Sequence, residues 1–338
     1  QPTSISVETP ATYTWYALSY NNTEDVPDIA NRETPTLALP AGKDVLYATG
    51  TVSVSDAQAG TNNGLGIMFR HSLARGGVEV NTMGMFADMR NVGVRVAGVA
   101  VKTATINLKT GALSNLVAAE QAIDFASFTN VDPNYGDAKI AYIYTADVAS
   151  ASTLTVNVNA LELNLDNGTT RNFTALAATP TVFTFTNFPR QLGASYTARV
   201  NLVESPISLA GVRWARANVY YSSIPHNRYR FNHTNAPSNN LNSFFSFESE
   251  VPNTYGLNGD PCRRVYPEGV WRQASEPDYR TLVGAILGPA EQPHTFGTNG
   301  GVGYVEYTNS TGTLAPYPSN KLRFNMNGEG IRLGVLAP

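Results

Sequence analysis

The sequence predicts an all-β protein, and three observations carry that reading. Apolar residues alternate with polar ones over many short stretches, the period-two signature of strands with one buried face. The chain of 338 residues carries 28 Gly, 20 Pro and 17 Tyr, a composition of turns and sheets rather than helices. Only 14% of residues are charged, well below the usual quarter, so long solvated helices have little to build on. The expected helical content is one or two short segments at most.

The strands follow in order. Near the N-terminus, Ile5–Val7 and Tyr13–Leu18 read as strand-like, the second with Tyr13, Trp15 and Ala17 on one face. A polar, acidic, proline-containing stretch follows, Asn21–Ala30 (NNTEDVPDIA), closing on Asn31-Arg32-Glu33. This composition suits an exposed loop, where proteolysis concentrates. Arg32 is the first basic residue of the chain. Val45–Val54 ends with Gly50, Val52 and Val54 facing one way and Ser53 the other. Val78–Met89 and Val92–Val101 come next, the latter so rich in Val and Ala that burial on both faces is expected. Lys139–Thr145 and Thr153–Leu165 are the clearest strands. In the second, Leu154, Val156 and Val158 occupy even positions and Leu161, Leu163 and Leu165 odd ones, which predicts a β-bulge or a crossing between sheets at Ala160. Asp166-Asn167-Gly168 then signals a hairpin. The one helical candidate in this half is Leu116–Phe128.

At Ala175–Pro180 the pattern breaks into small residues, dividing the chain near residue 178 into two β-rich parts, 1–177 and 178–338. The second part offers strands at Val182–Thr186, Tyr196–Val203, Leu209–Trp214, Ala217–Tyr221, Leu282–Leu287, Val302–Thr308, Leu322–Met326 and Ile331–Leu336. It is interrupted by a long polar region, Ser222–Asp278, an irregular insertion of the length that usually has contacts of its own. Gly297–Gly303 reads as a hairpin loop.

Chemistry is sparse. A formal charge of −3 argues against nucleic acid as a partner. The single cysteine, Cys262, forms no disulfide framework, although Arg263 and Arg264 beside it favour a lowered thiol pKa. His226 and His233 are seven residues apart and read as solvated loop histidines, not metal ligands. Phosphate-loop, nucleophile-elbow and zinc-protease motifs are all missing, and the carboxylates are scattered. The residues therefore indicate no enzyme, no cofactor and no metal. Trp214, Tyr220, Tyr221, Tyr229, Phe231 and Trp271 form an aromatic group, with Tyr229, Phe231 and Trp271 the candidate partner contacts. They leave open a second reading, a secreted cell-surface carbohydrate-binding β-sandwich module. At the far end, Ile331, Leu333 and Val335 alternate on one face of IRLGVL, as strand addition requires; a final edge strand packed at home satisfies the same spacing.

With these features (an N-terminal strand segment closing at Asn31-Arg32-Glu33, two β-rich halves, a terminal IRLGVL strand), the chain resembles the fimbrillins, the type V pilins of the Bacteroidia. It is most similar to an accessory or tip subunit of the minor (short) fimbriae. The resemblance implies two transthyretin-like β-sandwich domains, and export as a lipoprotein precursor to the outer membrane and extracellular fimbriae. It implies trimming by an arginine-specific protease between Arg32 and Glu33, which removes the first strand, residues 1–32. Ile331, Leu333 and Val335 would then be the donor strand that fills the groove of another fimbrial subunit, with host or bacterial surface ligands as further partners. The lipid-bearing cysteine that the resemblance implies near the N-terminus does not occur in this sequence. With residues 1–32 present, the resemblance makes this the precursor form.

Overall fold

The computed structural model describes residues 4–97, 101–147, 152–234, 241–245, 249–254, 259–284, 290–308, 317 and 320–326. The expected donor residues Ile331, Leu333 and Val335 lie outside them.

The chain opens with β1 (Ala11–Ser19), β2 (Thr36–Ala38), β3 (Leu46–Val54) and the two-residue β4 (Arg70–His71). β1 lies antiparallel on β3 through nine consecutive residue pairs, from Ala11 opposite Val54 to Ser19 opposite Leu46. The sheet order is β1-β3-β4, which leaves β1 on an edge. Residues 5–7 are not in a strand; Ile5 is 82% exposed, having no neighbouring strand to pair with. Across from this sheet, β2 joins β7 (Lys102–Asn107) and β8 (Leu113–Ala118). Leu37, Leu39, Val45, Leu73, Ala104 and Ile106 form the core of this region, with Leu18 and Tyr47 packed against it.

Between these elements the chain builds a larger sandwich. β5 (Ala74–Gly84) and β6 (Ala87–Ala97) belong to different sheets, so the expected single strand over Val78–Met89 is broken. The chain crosses at Met85–Phe86, where Phe86 takes a left-handed φ of 57° and is fully buried. The strand buried on both faces is β5; β6 keeps Asp88, Arg90 and Arg95 in solvent. β9 (Gln121–Ile123), β10 (Thr129–Asn130), β11 (Ala138–Thr145), β12 (Ser152–Leu165), β13 (Thr170–Asn172), β14 (Thr181–Phe188) and β15 (Ser195–Val203) complete it. One sheet runs β10-β11-β5-β15; the other runs β13-β12-β6-β9, with β14 beside the first half of β12. Val78, Val80, Val92, Val94, Leu154, Val156, Leu163 and Val200 are at most 1% exposed between them.

The helix expected over Leu116–Phe128 is instead β8, β9 and a 3₁₀ turn, Phe125–Ser127. Gln121 and Ile123 are buried with Ala122 exposed between them, a period-two pattern fixed by pairing to β6. Tertiary pairing overrides a weak helical preference. The bulge at Ala160 is present: the β12–β6 register slips between Val158 and Ala160, and both sets of apolar residues stay inside. Asp166–Gly168 closes the β12–β13 hairpin, with Gly168 at φ 81°.

The expected break near 178 requires correction. β14 pairs with β12, and β15 runs parallel to β5, so strands on both sides of that residue share both sheets. The small residues of ALAATP form a 3₁₀ turn, Thr174–Ala177, within the sandwich. The change of core comes after Val203.

From there the elements are smaller. β16 (Ile207–Leu209) and β17 (Val212–Trp214) form a tight hairpin through Ala210 and Gly211, where one strand was expected. β18 (Val219–Tyr221) pairs with β19 (Tyr229–Phe231). The helix α1 (Glu276–Val283) occupies the start of the stretch expected as a strand over Leu282–Leu287; residues 285–289 lie outside the description. β20 (His294–Asn299), β21 (Val302–Thr308) and β22 (Lys321–Asn325) form a three-stranded sheet, with Gly300 and Gly301 in the turn read as a hairpin loop. Leu282, Trp214, Val305, Tyr307 and Phe324 share its core.

The signal missed for α1 is a capping box, Ser275 with Asp278 three residues on, followed by a short amphipathic turn. Asp278 accepts the Ser275 N–H and hydroxyl at 2.7 Å each, and Arg272 donates to both of its oxygens at 2.6 and 2.9 Å. The Arg272 hydrogen bonds, helped by Ser275, hold the Asp278 carboxyl well below the usual carboxylate range. Its contribution to stability is therefore present above the unfolded value of about 4 and lost as the pH falls through the lower, folded one. Asp278→Asn is expected to cost about 0.5–2 kcal/mol at neutral pH, the range for a lost cap. Thermal melts in an acid series check this: the gap between variant and parent closes below about pH 4.

Candidate functional site

The N-terminal strand β1 lies on the edge of its sheet, and its exit leads into an exposed segment. β1 alternates half-buried Tyr13, Trp15 and Ala17 with exposed Thr12, Thr14 and Tyr16, and none of its residues is fully buried. It is held by main-chain pairing and by a few side-chain bonds. Thr12 and Ser53 hydroxyls meet at 2.8 Å, and Thr49 Oγ1 donates to the Trp15 carbonyl at 3.0 Å. Trp15 lies directly on Gly50.

Beyond Ser19 the chain is tied at one small cluster. Asn21 donates to Asp44 Oδ2 at 3.0 Å, His71 Nδ1 lies 2.8 Å from Asp44 Oδ1, and Lys43 pairs with Glu24 at 2.5 Å. Asp44 thus joins the exit of β1 to the start of β3 and to the end of β4. Val26 and Ile29 rest half-buried against the core of that region, while residues 30–34 are exposed. Arg32 and Glu33 sit there in a turn in which Asn31 Oδ1 accepts the N–H groups of Glu33 and Thr34, at 2.9 and 3.3 Å. Lys109 donates to the Glu33 carbonyl at 2.8 Å. Immediately afterwards the chain is fixed: the Leu108 N–H bonds the Pro35 carbonyl at 2.8 Å, and Leu37 and Leu39 are buried. Arg32 therefore stands between a peripheral strand and an anchored one.

The other candidates fare differently. Phe231 is 4% exposed, wedged edge-on between Phe86 (5.6 Å between ring centres) and Trp271 (5.0 Å). Tyr229 packs on Tyr221 at 5.2 Å, and Trp214 is buried against Tyr279 and Phe324. These rings spend their faces on one another, because apolar area without a large sheet to cover it collapses locally. Phe231 and Trp214 are buried in two small cores, and Tyr229 and Trp271 are partly buried against the first of these.

Nor are the two histidines solvated. His226 stacks on Tyr135 and lies 2.7 Å from Asp137; the His233 side chain is 2% exposed and lies 3.0 Å from Asp166. Asp166 also accepts from Arg230 at 3.1 Å and from the Tyr220 hydroxyl. Burial opposes its ionised form, but the hydrogen bonds and charges of His233 and Arg230 outweigh that and hold its carboxyl below the usual range. Cys262 is corrected in the same way. Burial, with Asp260 nearby, pushes its thiol up to about 12, so Arg263 and Arg264 do not activate it.

Neither a family model nor a curated protein matches this chain. Among solved structures, similarity is found to a Bacteroides fragilis protein provisionally assigned to cell adhesion, at 13% identity and a TM-score of 0.38, covering 60% of this chain and 62% of that one. A second such protein, from Bacteroides ovatus, shows 14% identity and a TM-score of 0.35 over 58% and 65% of the two chains. The fimbrial anchor protein Mfa2 of Porphyromonas gingivalis shows 12% identity and a TM-score of 0.23 over 66% and 74%. These are partial likenesses. This chain spans less than two thirds of the first two matched proteins.

Proposed function

We propose that this protein is a cell-surface fimbrial or adhesive subunit whose N-terminal strand is a removable cover. Cleavage after Arg32 frees β1, and the uncovered edge of β3 accepts a strand from another subunit. One observation carries the reading. β1 is paired along its whole length yet buries no side chain fully, and it is joined to the body by an exposed segment containing Arg32. A strand held mainly by edge hydrogen bonds can be replaced by another strand that makes the same bonds, and an edge left open is an aggregation hazard. Keeping β1 in place until export would protect the subunit. The alternating Ile331, Leu333 and Val335 are the proposed donor residues toward a neighbouring subunit.

Brief treatment with an arginine-specific protease, followed by intact mass and circular dichroism, tests this. The expected result is one early cut after Arg32 that leaves residues 33–338 with their β signal, and its loss in Arg32→Ala. Resistance at Arg32, or early cutting spread over many arginines, overturns the reading.

A further inference from the structure

Gly50 sits in the middle of β3, opposite Trp15 of β1. Its backbone is ordinary strand, so no special dihedral calls for glycine there. Space does. A Cβ built on Gly50 would stand 2.6 Å from Trp15 Cζ2 and 2.9 Å from Cε2, closer than real contacts allow. The missing side chain is a notch, and the indole ring fills it. On either side, Tyr13 faces Val52 and Ala17 faces Ala48, on the same face of the pair. Trp15 is thus the one residue of β1 whose ring occupies space that β3 leaves empty. Among the described residues the Trp15 indole N–H has no acceptor. The indole edge that fills the notch, Nε1 included at 3.1 Å from the built Cβ, therefore does so by shape and not by a hydrogen bond.

We propose that Gly50 is a register and selectivity notch for whatever strand pairs with this edge of β3. The partner it fits is an extended segment with an aromatic side chain opposite Gly50 and apolar residues two positions to either side. This inference rests on the removable-strand reading and adds to it the chemistry of the incoming strand. The chain's own Ile331–Leu336 carries only aliphatic anchors and no aromatic residue. It fills the notch poorly, which disfavours a second copy of this chain as the donor and favours a different subunit with an aromatic anchor.

A side chain in the wrong register would also meet this constraint. Slipping a strand by one residue turns its apolar set to the other face, and slipping by two moves the ring from Gly50 onto Ala48 or Val52. The notch thereby fixes register at a position where main-chain hydrogen bonds alone are indifferent to it.

Strand exchange on the nicked full-length protein tests the proposal. Labelled peptides of residues 11–19, the same peptide with Trp15→Phe, with Trp15→Ala, and residues 331–336 are offered to protein cut after Arg32. The first two are expected to replace the retained strand, and the Ala and 331–336 peptides to bind at least about tenfold more weakly. Gly50→Ala should remove the preference for the ring while still accepting strands. The peptide comparison on the parent protein stands even if that variant folds badly. Equal exchange of all four peptides overturns the notch but leaves the strand reading intact. No exchange of any peptide overturns both. Should Arg32 itself resist cutting, a site for a sequence-specific protease inserted within 21–30 gives the same nicked protein, so the notch is judged separately.

Discussion

A chain that stops at residue 178 is expected to be unfolded. It would keep β5, β6, β11 and β12 but lose β14 and β15, which pair with β12 and β5. Phe188, Ala198 and Val200 would leave the core, and Phe183, Phe185, Tyr196 and Leu202 would no longer cover its rim. Burying one large apolar side chain contributes about 1.5–3 kcal/mol. Even partial loss of these contributions reaches about 10 kcal/mol, comparable with the whole stability of a typical domain, about 5–15 kcal/mol. The freed edge of β5 would also lie open beside Val78 and Val80. Near-ultraviolet circular dichroism and amide dispersion of residues 1–178 against the full chain check this. A cooperative, well-dispersed fragment would mean that the sandwich closes without its last two strands.

The second large effect is expected at the buried pair Arg171–Glu204. The Arg171 guanidinium lies 3.0 and 3.1 Å from the two Glu204 oxygens, and both side chains are about 95% out of water, at 5% and 6% exposure. Arg171 and Arg216 also stand over the ring of Tyr317, at 4.5 and 3.9 Å. Burial pushes the Glu204 carboxyl above the usual range despite Arg171, so desolvation outweighs the attraction here. Burial likewise lifts Tyr317 to about 12. Glu204→Leu leaves the Arg171 charge buried without this carboxylate and is expected to cost about 3–5 kcal/mol in denaturant unfolding. The double variant Arg171→Met/Glu204→Leu removes both charges and is expected to recover most of that loss. A double variant as unstable as the single one would mean that the pair contributes through shape, not charge. Because the pair joins β13 to the end of β15, its loss should weaken the sandwich at its junction with the C-terminal elements.

How far each element was legible follows from what its neighbours had to decide. β1, β3, β11 and β12 were readable because each alternates against a single apolar side, and the slip at Ala160 could be seen as a change of parity. The exposed segment holding Arg32 was readable from composition, since acidic and proline-containing stretches have little to bury. The tie at Asp44 was not, because Asn21, Asp44 and His71 converge only when β1, β3 and β4 align. Likewise the notch at Gly50 has no local signature; glycine in a strand becomes informative only when Trp15 lies across it. The helix over 116–128 failed because Gln121 and Ile123 answer to β6, not to their own neighbours.

The sequence by itself determined the β class, the positions of the principal strands and the exposed arginine, since period and turn chemistry are properties of neighbouring residues. Tertiary structure decided the partners. It placed β14 and β15, beyond residue 178, inside the large sandwich, packed an apparent aromatic platform into ring clusters centred on the buried Phe231 and Trp214, and set the indole of Trp15 into the space above Gly50. Pairing across long separations is chosen by which surfaces close the core together, and that choice is not encoded in any single stretch of chain.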